Sequence, residues 1–181
     1  MPVPAKGEAL IRVHYSTVNP YDRIMSSVNK DEGFVLGCDG CGIVEKVGEG
    51  VDGEEWIGKK VAFLGGGWSR YVSKDVSFLV PFADDFELRH GANTYVNPFT
   101  ATAMLDFAEK KEAKAVILLA ASSALAKMTL RLCKQRGIET ISIVRKDDQV
   151  KDLKENFEAK YVLNQTSPNF NQELEEVIKE T

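Results

Sequence analysis

The stretch AVILLAASSALAKMTLRLCK, residues 115–134, has the chemistry of an anion site. It reads as a strand ending in a turn that opens a helix, where free backbone N–H groups and the helix dipole attract phosphate. The glycine fingerprint usual at such a turn is G-x-G-x-x-G. Here Ala121, Ser123 and Ala126 stand in its place, so all three glycines are missing. Small residues still let helix and strand approach, and Ser123 can donate to phosphate. A parallel-sheet turn without ligand is the competing reading. At the end of the next strand come Val144-Arg145-Lys146. An acid at this place suits a free ribose 2′-hydroxyl, whereas an arginine suits a 2′-phosphate, so the pair favours NADP(H) over NAD(H). A merely solvated cation pair is the alternative.

Ser122 and Ser123 also resemble a nucleophile elbow, but such a hydrolase needs a histidine later in the chain. The only histidines, His14 and His90, lie upstream. Cys38-Asp39-Gly40-Cys41 has the spacing of a redox or zinc pair. Zinc needs three or four ligands, and a thioredoxin-type pair should open a helix. Cys38 and Cys41 lie instead in a glycine-rich strand region, which favours two buried thiols.

The elements that must position these residues fall into two regimes. Of 14 glycines, 12 lie in residues 1–67, which predicts a β-rich first part, 1–84, and a helix-rich second part, 85–181. Residues 8–18 alternate as a half-buried strand, and a helical stretch follows near Tyr21–Ser27. The segment 33–51 reads as a strand pair with tight turns, and 58–64, 68–72 and 76–80 as further strands of a barrel. Beyond Pro81 the period lengthens. A helix runs from Phe99 to Glu112, AVILLAA (115–121) reads as a strand buried on both faces, and a helix ends at Gly137. Strands at 140–145 and 160–164 alternate with helices through Leu153 and Leu174, which argues for a doubly wound parallel α/β sheet.

The chain has 181 residues, 27 acids against 23 bases and 44% hydrophobic side chains, enough for a core without disulfides or metal. The net charge of −4 and the lack of a basic block argue against a nucleic-acid partner. No apolar run reaches membrane-span length, and the start MPVPAKGEALIRV has no leader pattern. Three cysteines suit a reducing compartment, so the expected address is cytoplasmic.

Taken together, the strings GEALIRVHYSTVNPYD (7–22), VLGCDGCGIVEKVGEGV (35–51), GKKVAFLGGGWSRYV (58–72), TYVNPFTATAML (94–105) and AASSALAKMTLRLCKQRGI (120–138) resemble the medium-chain dehydrogenase/reductase superfamily. The similarity is to its zinc-independent quinone oxidoreductase and enoyl reductase branch. It implies a partial GroES-like β-barrel followed by the first half of a Rossmann domain. It further implies NADPH-dependent hydride transfer to an enone, quinone or 2-enoyl thioester. Zinc-using relatives carry their ligands where this chain has Asn19, Cys38 and Asn97, and one thiol with two amides cannot make a catalytic zinc site. By the resemblance, Asn19, Asn97 and Thr100 lie near the nicotinamide and Ser122, Ser123 and Ala124 near the pyrophosphate. Arg145, with Lys146 beside it, lies near the 2′-phosphate.

Tyr21 is the nearest proton donor. The tyrosine expected a few residues later is absent from SSVNKDEGF (26–34), and Asn19 and Asn97, each before a proline, can simply shape turns. The resemblance also implies further strands before residue 7 and a second Rossmann half after 181, so it reads the chain as truncated at both ends. The sheet edge this exposes would call for another chain, of the same or a different kind, to cover it. A degenerate, non-catalytic relative serving as a structural or interaction subunit is the alternative reading.

Overall fold

The computed structural model describes residues 1–29 and 31–181. It forms two compact units, Met1–Val96 and Asn97–Thr181. The sequence placed its break at 84/85. The first unit extends further because helix α3 (Leu88–Gly91) is built into it. The Leu88 carbonyl accepts from Cys41 Sγ at 3.0 Å, and Gly91 packs so closely on Phe82 that a Cβ would stand 2.7 Å from its ring.

The first unit holds β1 (Glu8–Ser16), α1 (Pro20–Val28), β2 (Asp39–Val47), α2 (Gly53–Trp56), β3 (Lys60–Leu64), β4 (Tyr71–Asp75) and β5 (Val80–Pro81). They make one antiparallel sheet, ordered β4-β1-β2-β3-β5. Ala9, Ile11, Val44, Val61, Phe63, Val72 and Leu79 fill its core. The expected strand pair at 33–51 is a single strand, β2, because its glycines serve close approach as well as turning. A Cβ on Gly42 would lie 2.1 Å from the carbonyl oxygen of Arg12 on β1. The strand expected at 68–72 is shifted to Tyr71–Asp75, and the one expected at 76–80 is shorter. Asp75 accepts the Ser77 N–H at 2.8 Å and turns Val76–Phe78 into a 3-10 turn, leaving only Val80–Pro81 to pair.

The second unit contains most of α4 (Val96–Lys110), then β6 (Ala115–Leu118), α5 (Ala124–Arg136), β7 (Glu139–Val144), α6 (Asp147–Phe157), β8 (Tyr161–Asn164) and α7 (Phe170–Glu180). The alternation expected from the sequence is present, as a parallel sheet ordered β6-β7-β8. Leu118, Leu130, Val144, Leu153 and Val162 pack one cluster, and Ile141, Tyr161 and Leu163 form another with α7. Gly137 ends α5 at φ 70°, a left-handed cap that glycine adopts without strain. The 115–121 run is not buried on both faces. Strand β6 stops at Leu118 at the sheet edge, with Ile117 48% and Leu119 71% exposed. A continuous apolar run does not distinguish a central strand from an edge one.

No described helix is long and apolar enough to cross a membrane.

Candidate functional site

The second unit gathers its polar groups at the carboxyl ends of β6 and β7. The ladder continues past Leu118, where the Ala121 N–H donates to the Ile143 carbonyl at 3.0 Å. That bond holds the β6–α5 turn beside the end of β7. Ala120 takes the left-handed conformation at φ 48°, and its carbonyl accepts the Ser123 N–H at 2.8 Å. Ser123 is the N-cap of α5, its Oγ accepting the Ala126 N–H at 3.2 Å. The cap uses a lone pair, so the hydroxyl proton remains available.

Ser122 Oγ is enclosed and has no hydrogen-bond partner among the described residues. A buried hydroxyl left in this state costs stability until something binds it. Ser123 and Ala124 are exposed at the helix start, where the first N–H groups have no acceptor within the helix.

Arg145 and Lys146 follow directly on β7 and are exposed. The Arg145 backbone N–H donates to Gln149 Oε1 at 3.1 Å, which fixes the chain direction, and no ion pair engages either cation among the described residues. Asp147, next in line, accepts from Asn164 Nδ2 at 2.7 Å instead. The serine turn and the cation pair, read separately from the sequence, therefore share one sheet edge. Asn97 and Thr100 lie on the opening turns of α4.

In the first unit, Asn19 Oδ1 accepts the Tyr21 N–H at 3.2 Å, and Asp22 Oδ2 accepts the Asn19 N–H at 2.8 Å. This reciprocal capping box fixes the start of α1. It commits the Asn19 oxygen to the helix start. Asn19 and the half-exposed Tyr21 both border a cavity of about 840 Å³.

The sequence reading missed what surrounds them. Asp22 and Asp39 are fully buried acids, and Lys74 reaches the same cavity. The N-x-x-D spacing of Asn19 and Asp22 was the available signal for the first. Asp39 and Lys74 carried no local signal, because long-range folding buries them.

The thiols of Cys38, Cys41 and Cys133 are all free and buried, and burial pushes each up to about 11. For Cys38 the nearby Asp22 and Asp39 add to the effect. Among the described residues no three His, Cys, Asp or Glu side chains cluster as a metal site.

An antiparallel sheet unit followed by a parallel β-α-β unit defines the class, a two-unit α/β architecture. Residues 5–84 match the alcohol dehydrogenase GroES-like domain. The chain is 29% identical over 155 residues to the mitochondrial enoyl-[acyl-carrier-protein] reductase of Dictyostelium discoideum, spanning 80% of this chain and 44% of that one. It is 24% identical over 163 residues to the quinone oxidoreductase of Rattus norvegicus, covering 86% of this chain and 50% of the relative. Among solved structures, a candidate NADPH:quinone reductase of Mesorhizobium loti superposes with a TM-score of 0.89 at 31% identity, over 99% of this chain and 54% of that one. These likenesses indicate the medium-chain dehydrogenase/reductase superfamily, on its quinone oxidoreductase-like branch. It spans about half the length of the curated relatives it matches.

Proposed function

We propose that the chain is part of an NADPH-dependent, zinc-independent oxidoreductase that reduces an activated C=C bond or a quinone. The substrate class is an enone, a quinone or a 2-enoyl thioester. The observation that carries this reading is the enclosed, unpartnered Ser122 hydroxyl on the turn opening α5, beside the exposed Arg145-Lys146 pair.

These groups fit NADPH. Ser122 and the first N–H groups of α5 would hold the pyrophosphate, with Ser123 and Ala124 small enough to let it approach. Arg145 and Lys146 would hold the 2′-phosphate. The bound cofactor supplies a hydride. Asn19, Asn97 and Thr100 are assigned to its nicotinamide end by family likeness. Tyr21 is assigned the proton delivered to the enolate left after reduction, from its phenol oxygen at the cavity wall.

A small-molecule substrate follows from the same reading. The buried, unpaired cysteines support a cytoplasmic address. The exposed edge at β6 supports a further chain lying against it.

Thermal unfolding with and without cofactor is the test. NADPH at a hundred times its dissociation constant should stabilise the chain by about 2.7 kcal/mol. An unchanged midpoint at millimolar NADPH rejects the cofactor assignment. Loss of NADPH absorbance with a simple quinone or an enoyl thioester then selects the substrate.

A further inference from the structure

The first unit's cavity has the volume of a small-molecule site, about 840 Å³. Met25 of α1, Phe34 and Leu36 of the following loop and Leu64 at the end of β3 give it apolar walls. Among the described residues two charged side chains border it, Asp22 and Lys74.

Asp22 is already committed. Its carboxylate accepts the backbone N–H groups of Asn19, Gly37 and Cys38 at 2.8, 3.0 and 2.9 Å. Lys74 has no such partner. Its Nζ lies 3.6 Å from where a Cβ on Gly65 would stand, against the β3–β4 turn, and no ion pair or hydrogen bond engages the ammonium among the described residues.

The nearby acids are occupied. Glu8 Oε2 takes the Ala5 N–H at 2.9 Å and the Ser73 hydroxyl at 2.7 Å, and Asp75 Oδ1 takes Ser77 through its N–H at 2.8 Å and its hydroxyl at 2.6 Å. Lys74 also borders a smaller cavity of about 240 Å³, where Asp75 is the only other charged residue among the described ones. Burial lowers the lysine pKa, with Glu8 opposing from beyond contact distance. A partly desolvated cation beside apolar walls, without a counter-ion, is a costly arrangement that an anion relieves.

We propose that the larger cavity binds an amphipathic anion, a molecule with an acyl-sized apolar body and one carboxylate or phosphate head, with Lys74 holding the head. The proposal rests on the oxidoreductase reading for its site, since Asn19 and Tyr21 line the same cavity, and it adds the kind of molecule that Lys74 would select there. Carboxylate and phosphate present the same chemistry to an ammonium, and the choice of probe separates them.

The experiment is calorimetric titration of the 181-residue chain with decanoate, decyl phosphate and decanol, each below its micelle concentration. The anion with the preferred head should bind roughly ten- to a hundred-fold tighter than decanol. Lys74→Met should reduce that preference to about threefold or less while decanol binding persists, and Lys74→Arg should restore it. If circular dichroism shows Lys74→Met unfolded, Lys74→Gln makes the same comparison. Equal affinities for decanol and both anions overturn the proposal. So does a preference that survives loss of the ammonium, or no binding of any probe at millimolar concentration. NADPH melting curves on the same samples separate the two readings, since each can fail while the other stands.

Discussion

Asp39 Oδ1 accepts the backbone N–H of Val96 at 2.9 Å, so a wholly buried carboxylate at the start of β2 holds the first residue of α4. Its second oxygen, Oδ2, has no partner among the described residues. Burial raises the Asp39 pKa, the Val96 N–H opposes this, and the like charge of Asp22 adds to the rise. A carboxyl whose folded pKa is raised favours folding below the ordinary aspartate value. That contribution is lost as pH climbs through the raised value. Asp39→Asn keeps an oxygen for Val96 and removes the charge. Its thermal midpoint should exceed that of the wild type near pH 7, and the difference should close as pH falls toward about 4. Melting curves across that range are the check, and a difference independent of pH would contradict the assignment.

The pair at the end of β7 predicts a cofactor preference. Arg145→Glu should weaken NADPH about tenfold or more and NADH about twofold or less, because only NADPH carries the phosphate that a guanidinium can grip. Fluorescence titration with both nucleotides measures it. Equal losses would reject the phosphate assignment.

Ala120 predicts a stabilising substitution. An L-residue in the left-handed region costs roughly 1–2 kcal/mol, and glycine there returns part of the gain through its freer unfolded chain. Ala120→Gly should therefore stabilise the fold by about 0.5–1 kcal/mol, read from urea midpoints.

The three cysteines predict a reactivity pattern. With thiols pushed up to about 11 and shielded from solvent, native protein near pH 8 holds only about a thousandth of each as thiolate. Ellman's reagent should modify little in the native state and all three cysteines in guanidinium. Fast native labelling of Cys41 would show that strand β2 opens.

Local signals were legible in the sequence. Ser122 or Ser123 as a helix start, Gly137 as a helix stop and Arg145-Lys146 at a strand end all depend on neighbours within a turn or two, and the structure has Ser123 as the cap, Gly137 as the stop and the cation pair at the end of β7. What depended on distant partners was not. The glycines of 33–51 read as turn formers because sequence does not show that β1 lies across Gly42. Leu64 and Lys74 flank a turn in the sequence, and only the folding of α1 and its loop around them makes a cavity. In the same way AVILLAA carries no mark of its position at the sheet edge.

That sheet order has one more consequence. Chain order and spatial order agree across β6-β7-β8. Doubly wound sheets open their ligand crevice where strand order reverses. Across these three strands it does not reverse, so Ser122 after β6 and Arg145 after β7 stand at neighbouring strand ends, joined by the bond from the Ala121 N–H to the Ile143 carbonyl.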